Sequence, residues 1–298
     1  MKRSTFLAVA LTTALVAAAL GLSACGGSSG DTSSSTGGNG GSGRLSGSIN
    51  VAGSDTMVNL AQAWSEAFMT TNPGVNIAVK GGGSGNGITA LINGTADFAD
   101  SSRNVKDEEK QAASAKGETL VETAVAKDGI SVIVNPANKV TDLTTDQLGK
   151  IYRGEITDWS EVGGASAQIV LLGRDTSSGT YEFFKEAVVG KDKEYAKSMR
   201  NLASNQAILA EIEQNANAIG YVGLGYAQEA GDKVVRLKVD GVEDTVDNVL
   251  SGTYPLSRDL YMVSNGEPKD LMKSYIDWIL GADGQKIVAD QGFVPLSK

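Results

Sequence analysis

Three times along the chain a short apolar run ends in a turn of glycine and hydroxyl residues and then opens into a helix-like stretch. "SINVAGSDTM" leads into a helical spacing of Met57, Leu60, Ala61, Trp64 and Phe68 that stops at Asn72-Pro73-Gly74. "VNIAVKGGGSGNG" leads into Ile88, Leu91 and Ile92, and "QIVLLGRDTSSG" into "TYEFFKEAVVG". Strand, tight turn and helix in repetition predict an α/β fold with a mostly parallel sheet, whose ligands lie beyond the carboxyl ends of the strands. All three turns fall at that end, so segments far apart in sequence can surround one ligand.

Two further stretches lack this punctuation. "VETAVAKDGISVIVNP" in the middle of the chain and "GTYPLSRDLYMVSN" near its end are extended and apolar, each long enough to pass from one lobe into another. One crossing out and one back predict a two-lobed molecule, with residues 45–128 plus 254–298 as a discontinuous lobe 1 and residues 129–253 as lobe 2. A cleft between lobes is a favoured place for a ligand.

The first residues are an address rather than a fold. Lys2 and Arg3 precede an apolar run from Phe6 to Leu22, the pattern of a secretion signal over residues 1–24. Leu22-Ser23-Ala24-Cys25 resembles the lipobox of bacterial lipoproteins, which makes Cys25 the expected site of lipidation and the mature N-terminus. An uncleaved membrane anchor is the other reading, for which the run is only marginally long. Residues 25–44 after it, with "GGSSGDTSSSTGGNGGSG", read as a flexible tether. Cys25 is the only cysteine, so the folded part has no disulfide, no thiolate metal site and no thiol nucleophile.

With 35 acidic against 26 basic residues the formal net charge is −9, and there is no histidine. A nucleic-acid partner would need a basic face. Ser-His-Asp catalysis and HExxH zinc sites need the missing imidazole. An anion site survives these exclusions, because helix-start N–H groups and one guanidinium supply a local field whatever the charge of the whole molecule.

Arg174 stands one turn before Ser178, Gly179 and Thr180. Its guanidinium offers forked donors suited to a tetrahedral oxyanion, hydroxyls and free N–H groups at the helix start add more, and Gly179 lets backbone approach closely. Ser54 and Thr56 offer the same groups at the first turn, where Asp55 is a contact or a cap. Ser84 does so at the second, where a plain flexible loop is the alternative. N-capping and turn formation alone would also explain the hydroxyls. "GGGSGNG" lacks the Gly-Lys-Ser/Thr of a Walker loop, which argues against a nucleotide phosphate. Trp64, Trp159 and Trp278 sit among apolar residues and read as core, and "KDEEKQAASAKGE" (106–118) reads as a solvated helix face.

Taken in order, "GSDTM", "GGGSGNG", "TADFADSSR", "IYRGEITDW", "GRDTSSGT" and "AIGYVG" resemble the phosphate-binding lipoproteins that serve the phosphate-specific ABC transporter, over nearly everything from Leu45 to the C-terminus. The resemblance implies the two-lobed periplasmic binding protein type II fold, each lobe a mixed sheet flanked by helices, with the ligand in the interlobe cleft. It implies capture of inorganic phosphate on the outer side of the cell membrane and delivery to the permease and ATPase subunits of the transporter. It further implies a lipid-anchored monomer without cofactor, metal or catalytic activity. Motif by motif, it places Ser54, Asp55 and Thr56, then Ser84, then Ser102, then Arg174, Ser178, Gly179 and Thr180 on the phosphate.

Some family members carry a carboxylate where Ser102 stands, which accepts the ligand's proton, and a hydroxyl where Asp55 stands. The acceptor is therefore expected to have changed places to Asp55. The alternatives are Asp55 as a helix cap paired with Arg103 or Arg174, and Asp97, Asp100 or Asp175 as the acceptor. The rival functions are binding of another tetrahedral oxyanion such as sulfate or molybdate, hydrolysis of phosphate esters, and a ligand-free interaction or signalling module.

Overall fold

A computed structural model describes residues 44–296. The expected signal peptide, the expected lipidation site Cys25 and nearly all of the expected tether lie outside the described residues. The first turn joins β1 (Ser46–Gly53) to α1 (Val58–Thr71), and β2 (Gly74–Lys80), α2 (Ser84–Ile92), β3 (Phe98–Ser101) and α3 (Asp107–Ser114) follow. The middle extended stretch is β4 (Leu120–Val134), a strand of 15 residues. After it come β5 (Asp142–Leu143), α4 (Thr145–Arg153), β6 (Val170–Arg174), α5 (Gly179–Phe184), β7 (Arg200–Leu202) and α6 (Asn205–Gln214). Then follow β8 (Ala218–Gly223), α7 (Leu224–Ala230), β9 (Val235–Arg236), β10 (Lys238–Val239) and α8 (Val246–Leu250). The second extended stretch is β11 (Ser257–Asn265), succeeded by α9 (Asp270–Leu280) and α10 (Ala282–Asp290). A π-helical turn, Lys185–Val189, keeps the run after α5 helical.

The main sheet has the order β2-β1-β3-β11-β4-β8-β6-β7. β1 is parallel to β2 and β3, and β6 is parallel to β7 and β8, as strand-turn-helix repeats demand. The centre departs from the mostly parallel sheet expected from the sequence. There β11 is antiparallel to β3 and β4, and β4 is antiparallel to β8. The reason is that one long strand leaves the first set of βα units and the other returns to it, so the two run in opposite senses. β4 changes partner midway: Leu120 to Gly129 pair with β11, and Ile130 to Val134 pair with β8.

Separate cores form on either side of that change. Ile49, Trp64, Phe68, Phe98 and Tyr275 belong to one, with Ile88, Leu91 and Val263 in a smaller cluster. Beyond the change, alternation along β4 sends Ile130, Val132 and Val134 into a core with Tyr152, Trp159, Phe184 and Tyr221, and Ile133 to the opposite side with Leu172 and Ile208. Trp64 and Trp159 are buried, and Trp278 packs at the edge of the first core, as their apolar neighbours suggested. Buried Trp64 also donates its indole N–H to the Gly284 carbonyl at 2.8 Å.

Asp100 is an exception to apolar burial. Two residues past Phe98 on β3, it is 2% exposed and its Oδ1 has no hydrogen-bond partner among the described residues. Burial pushes its carboxyl up to about 8. The folded protein therefore holds this proton more tightly than the unfolded chain, so the stabilisation it carries is full below about pH 4 and is lost as pH rises toward 8. Asp100→Asn removes that dependence. Between pH 5 and pH 8 the variant should gain on wild type by about 2–4 kcal/mol, since each tenfold difference in proton affinity between the folded and unfolded chain is worth about 1.36 kcal/mol. Urea unfolding at several pH values measures the gain, and parallel profiles for the two proteins would contradict it.

Candidate functional site

Gly53 ends β1 with φ +146°, where a side chain would press into the backbone of Asp100. That close approach lets Ser54 N–H donate to the Asp100 carbonyl at 2.9 Å and pins the first turn against β3. Ser54, Thr56, Ser84, Ser102, Arg174, Ser178 and Thr180 are all buried. Buried hydroxyls need partners, and several of these find one another. Ser54 Oγ donates to Ser102 Oγ at 3.0 Å, and Ser102 N–H donates to Ser84 Oγ at 3.1 Å. The Ser84 and Ser102 hydroxyls lie 3.3 Å apart, and those of Thr56 and Thr180 lie 2.9 Å apart. A Cβ at Gly179 would collide with the Ser84 and Ser102 hydroxyls, so a glycine is required where α5 begins. Ser178 caps that helix by accepting from Tyr181 N–H at 3.4 Å, so its capping role is real and leaves its own O–H to donate.

Arg174 closes β6 and is 1% exposed. Its Nη2 donates to the Ala203 carbonyl at 3.0 Å and lies 3.2 Å from Asp55 Oδ2. Among the described residues its Nε and Nη1 have no hydrogen-bond partner. A permanently charged, buried guanidinium with two unspent donors is costly unless an acceptor meets them.

Asp55 does not cap the helix that follows it, since α1 has no side-chain cap. Its Oδ2 instead accepts from Asn205 N–H at 3.0 Å and Asn205 Nδ2 at 2.7 Å, at the first residue of α6. Of the two arginines weighed as its partner, Arg174 is the one it meets. Arg103 forks onto Glu109 at 2.8 and 2.7 Å, which also removes Glu109 from the purely solvated face expected of α3. The other carboxylates weighed as acceptors have other roles: Asp97 takes Asn50 N–H at 2.7 Å, Asp175 takes the Ser177 N–H and hydroxyl, and Asp100 lies in the first core.

Three participants were not singled out from the sequence. Arg258, on β11, donates to Asp128 Oδ2 through Nε and Nη2 at 3.1 and 2.7 Å, and to the Ser102 carbonyl through Nη1 at 3.0 Å. Asp128 Oδ1 accepts from Leu224 N–H at 3.0 Å, and neighbouring Gly223 N–H donates to Asn205 Oδ1 at 3.3 Å. The third turn is thus tied through a buried ion pair to the start of α7, and from there through Asn205 to Asp55. Burial raises the Asp128 carboxyl and lowers the Arg258 guanidinium, and each partner's charge opposes the other's shift. Asp128 and Arg258 had a signal, each being a charge inside an apolar extended stretch. Asn205 had only its place beside Ser204, the N-cap of α6.

A surface hollow lined among others by Asn59, Gln62, Glu66, Gln228 and Asp290 contains none of these residues. Among the described residues there is no cluster arranged to hold a metal and no helix long and apolar enough to cross a membrane.

A helix-flanked mixed sheet with two crossing strands and buried donors converging from several turns defines a substrate-binding protein of the periplasmic binding protein fold. A family model described as a PBP superfamily domain matches residues 32–283. The chain belongs to that superfamily, among the relatives of phosphate-binding protein PstS. It is 37% identical to PstS of Bacillus subtilis over 85% of this chain and 82% of that one, and 32% identical to PstS of Pseudomonas aeruginosa over 85% and 84%. A putative phosphate ABC transporter substrate-binding protein from Clostridium perfringens, solved with bound phosphate, superposes with TM-score 0.77 at 38% identity, covering 84% of this chain and 99% of that one. An ABC-type phosphate transport receptor from Vibrio cholerae gives TM-score 0.70 at 30% identity, over 83% and 99%.

The buried pair makes a quantitative expectation. Asp128→Asn leaves Arg258 charged and unmatched, which should cost about 3–5 kcal/mol, whereas Asp128→Leu with Arg258→Met should restore most of that loss. Urea unfolding of the three proteins tests this, and a double variant no more stable than Asp128→Asn would contradict it.

Proposed function

We propose that the protein captures inorganic phosphate between two lobes, residues 45–128 with 254–298 and residues 129–253, and delivers it to the permease of an ABC transporter. The observation that carries the reading is Arg174, buried and paired with Asp55 of the first turn while its Nε and Nη1 find no partner among the described residues. Phosphate is an anion with enough acceptor positions to use both of those N–H groups together with Ser54, Thr56, Ser84, Ser102, Ser178 and Thr180 and the backbone at Gly179. The names of the relatives and the bound phosphate in the Clostridium perfringens structure support the same ligand. The secretion signal and the lipobox-like segment support attachment through a lipid on Cys25, facing away from the cytoplasm. In this reading the protein is a carrier and carries out no chemistry on its ligand.

Asp55 supplies selectivity. With Oδ2 engaged by Asn205 and Arg174, we assign Oδ1 to the proton that phosphate keeps at neutral pH. Sulfate has no such proton and would face only like charge, and sites built on a specific hydrogen bond reject the analogue lacking it by about 10⁴–10⁵. Asp55→Asn should therefore narrow the phosphate-to-sulfate affinity ratio, chiefly by improving sulfate binding, because the amide can donate to sulfate and carries no charge. Calorimetric titration of both anions measures the ratio; one that does not move would remove Asp55 as acceptor.

Arg174→Met keeps much of the stem and deletes the charge. Truncating one partner of a buried charge pair costs about 2–5 kcal/mol, so phosphate affinity should fall by roughly two orders of magnitude at about 1.4 kcal/mol per tenfold. Equilibrium dialysis with labelled phosphate decides the matter. A loss of less than about fivefold in a folded variant would overturn the assignment.

A further inference from the structure

Several contacts join the two sides of the site without belonging to it. Lys106 follows Val105, which is anchored in the cluster of Ile88, Leu91 and Val263. Glu182 lies on α5 beside Phe184, in the core of the other side. Their side chains meet at 2.9 Å, at 32% and 22% exposure, and line one groove. Close by in sequence, the Ser177 carbonyl accepts from Gly85 N–H at 3.0 Å, and its hydroxyl, which donates to Asp175 Oδ1 at 2.6 Å, lies 3.2 Å from the Gly82 carbonyl. A Cβ on Gly83, which has φ +104°, would press on the Ser177 hydroxyl and carbonyl. The glycines of "GGGSGNG" thus have a use that the anion reading did not foresee. Gly83 and Gly85 form a side-chain-free seat for Ser177.

We propose that Lys106 and Glu182, with Ser177 seated on Gly82, Gly83 and Gly85, form a latch that sets phosphate affinity without touching phosphate. The inference rests on the two-lobed phosphate-binding reading above. Contacts made only when the two sides meet stabilise the arrangement that holds the ligand, and apparent affinity rises with the population of that arrangement. Ser177 contributes mostly backbone hydrogen bonding, which salt does not screen. Lys106 and Glu182 contribute an ion pair, which salt does screen.

The ion pair is the separable part, since removing charge at this exposure does not endanger the fold. Lys106→Met and Glu182→Gln should each weaken phosphate binding by about two- to fivefold at low salt, the range that measured couplings of such pairs support. The double variant should lose no more than either single one, and the reversed pair, Lys106→Glu with Glu182→Lys, should bind within about twofold of wild type. In about 1 M salt the difference between wild type and the single variants should vanish. Equilibrium dialysis of the full chain with labelled inorganic phosphate reads all of these. If wild type binds and the single variants bind equally well at low salt, or the losses add in the double variant, the latch is overturned and the phosphate reading stands. A wild type that takes up no phosphate overturns both.

Discussion

The antiparallel pairing of β4 with β11 is the constraint on which the rest depends. These are the strands that join the two sets of βα units, and Asp128 and Arg258 are direct partners in their register. Burying an ion pair costs solvation on both sides, and the cost is offset only where the geometry is good and the remaining polar atoms are used. Here they are used: the guanidinium also holds the Ser102 carbonyl and the carboxylate also holds Leu224 N–H. The pair that joins the strands therefore also fixes the third turn and the start of α7. Gly223, just before that helix, has no side chain to fend off Thr56 and Asp128, so the end of β8 can lie against the first turn.

A protein of net charge −9 that takes an anion must solve the field problem locally. Neither arginine is left as a bare charge: Arg258 is matched by Asp128 and Arg174 by Asp55. What remains for a ligand is directional, namely unspent guanidinium N–H groups, hydroxyls and helix-start amides. That suits recognition by hydrogen-bond pattern better than by charge alone. It also explains why a carboxylate beside the proposed ligand position is tolerated, since Asp55 is itself held by Asn205 and the guanidinium.

Much of this was legible in the chain. Helical spacing in "MVNLAQAWSEAF" and the turns after the strands fixed where α1, α2 and α5 begin, because local periodicity and turn chemistry act over a few residues. The same turns marked Ser54, Ser84, Arg174 and Thr180 as site residues, and the structure brings them together. Strand direction at the centre was less legible, because antiparallel pairing of β4 with β11 depends on residues more than a hundred positions apart, such as Asp128 and Arg258. For Asp55 the sequence showed a carboxylate before a helix, expected as the proton acceptor with a cap for that helix as the alternative. Its partner is Asn205, at another helix start, and no local rule points there. Asp100 was hidden for the opposite reason: its spacing on β3 looks ordinary, and only the packing around it shows that its carboxyl is buried.

Phosphate meeting the two unspent donors of Arg174 is the contact on which capture turns, and a crystal structure of the chain grown with phosphate tests it most directly. One anion is expected with oxygens within hydrogen-bond distance of Arg174 Nε and Nη1, flanked by the hydroxyls of Ser54, Ser84 and Thr180. An ordered phosphate seated elsewhere, in the hollow beside Asn59 and Gln228 or against Arg103, with the Arg174 donors still unmatched, would contradict it.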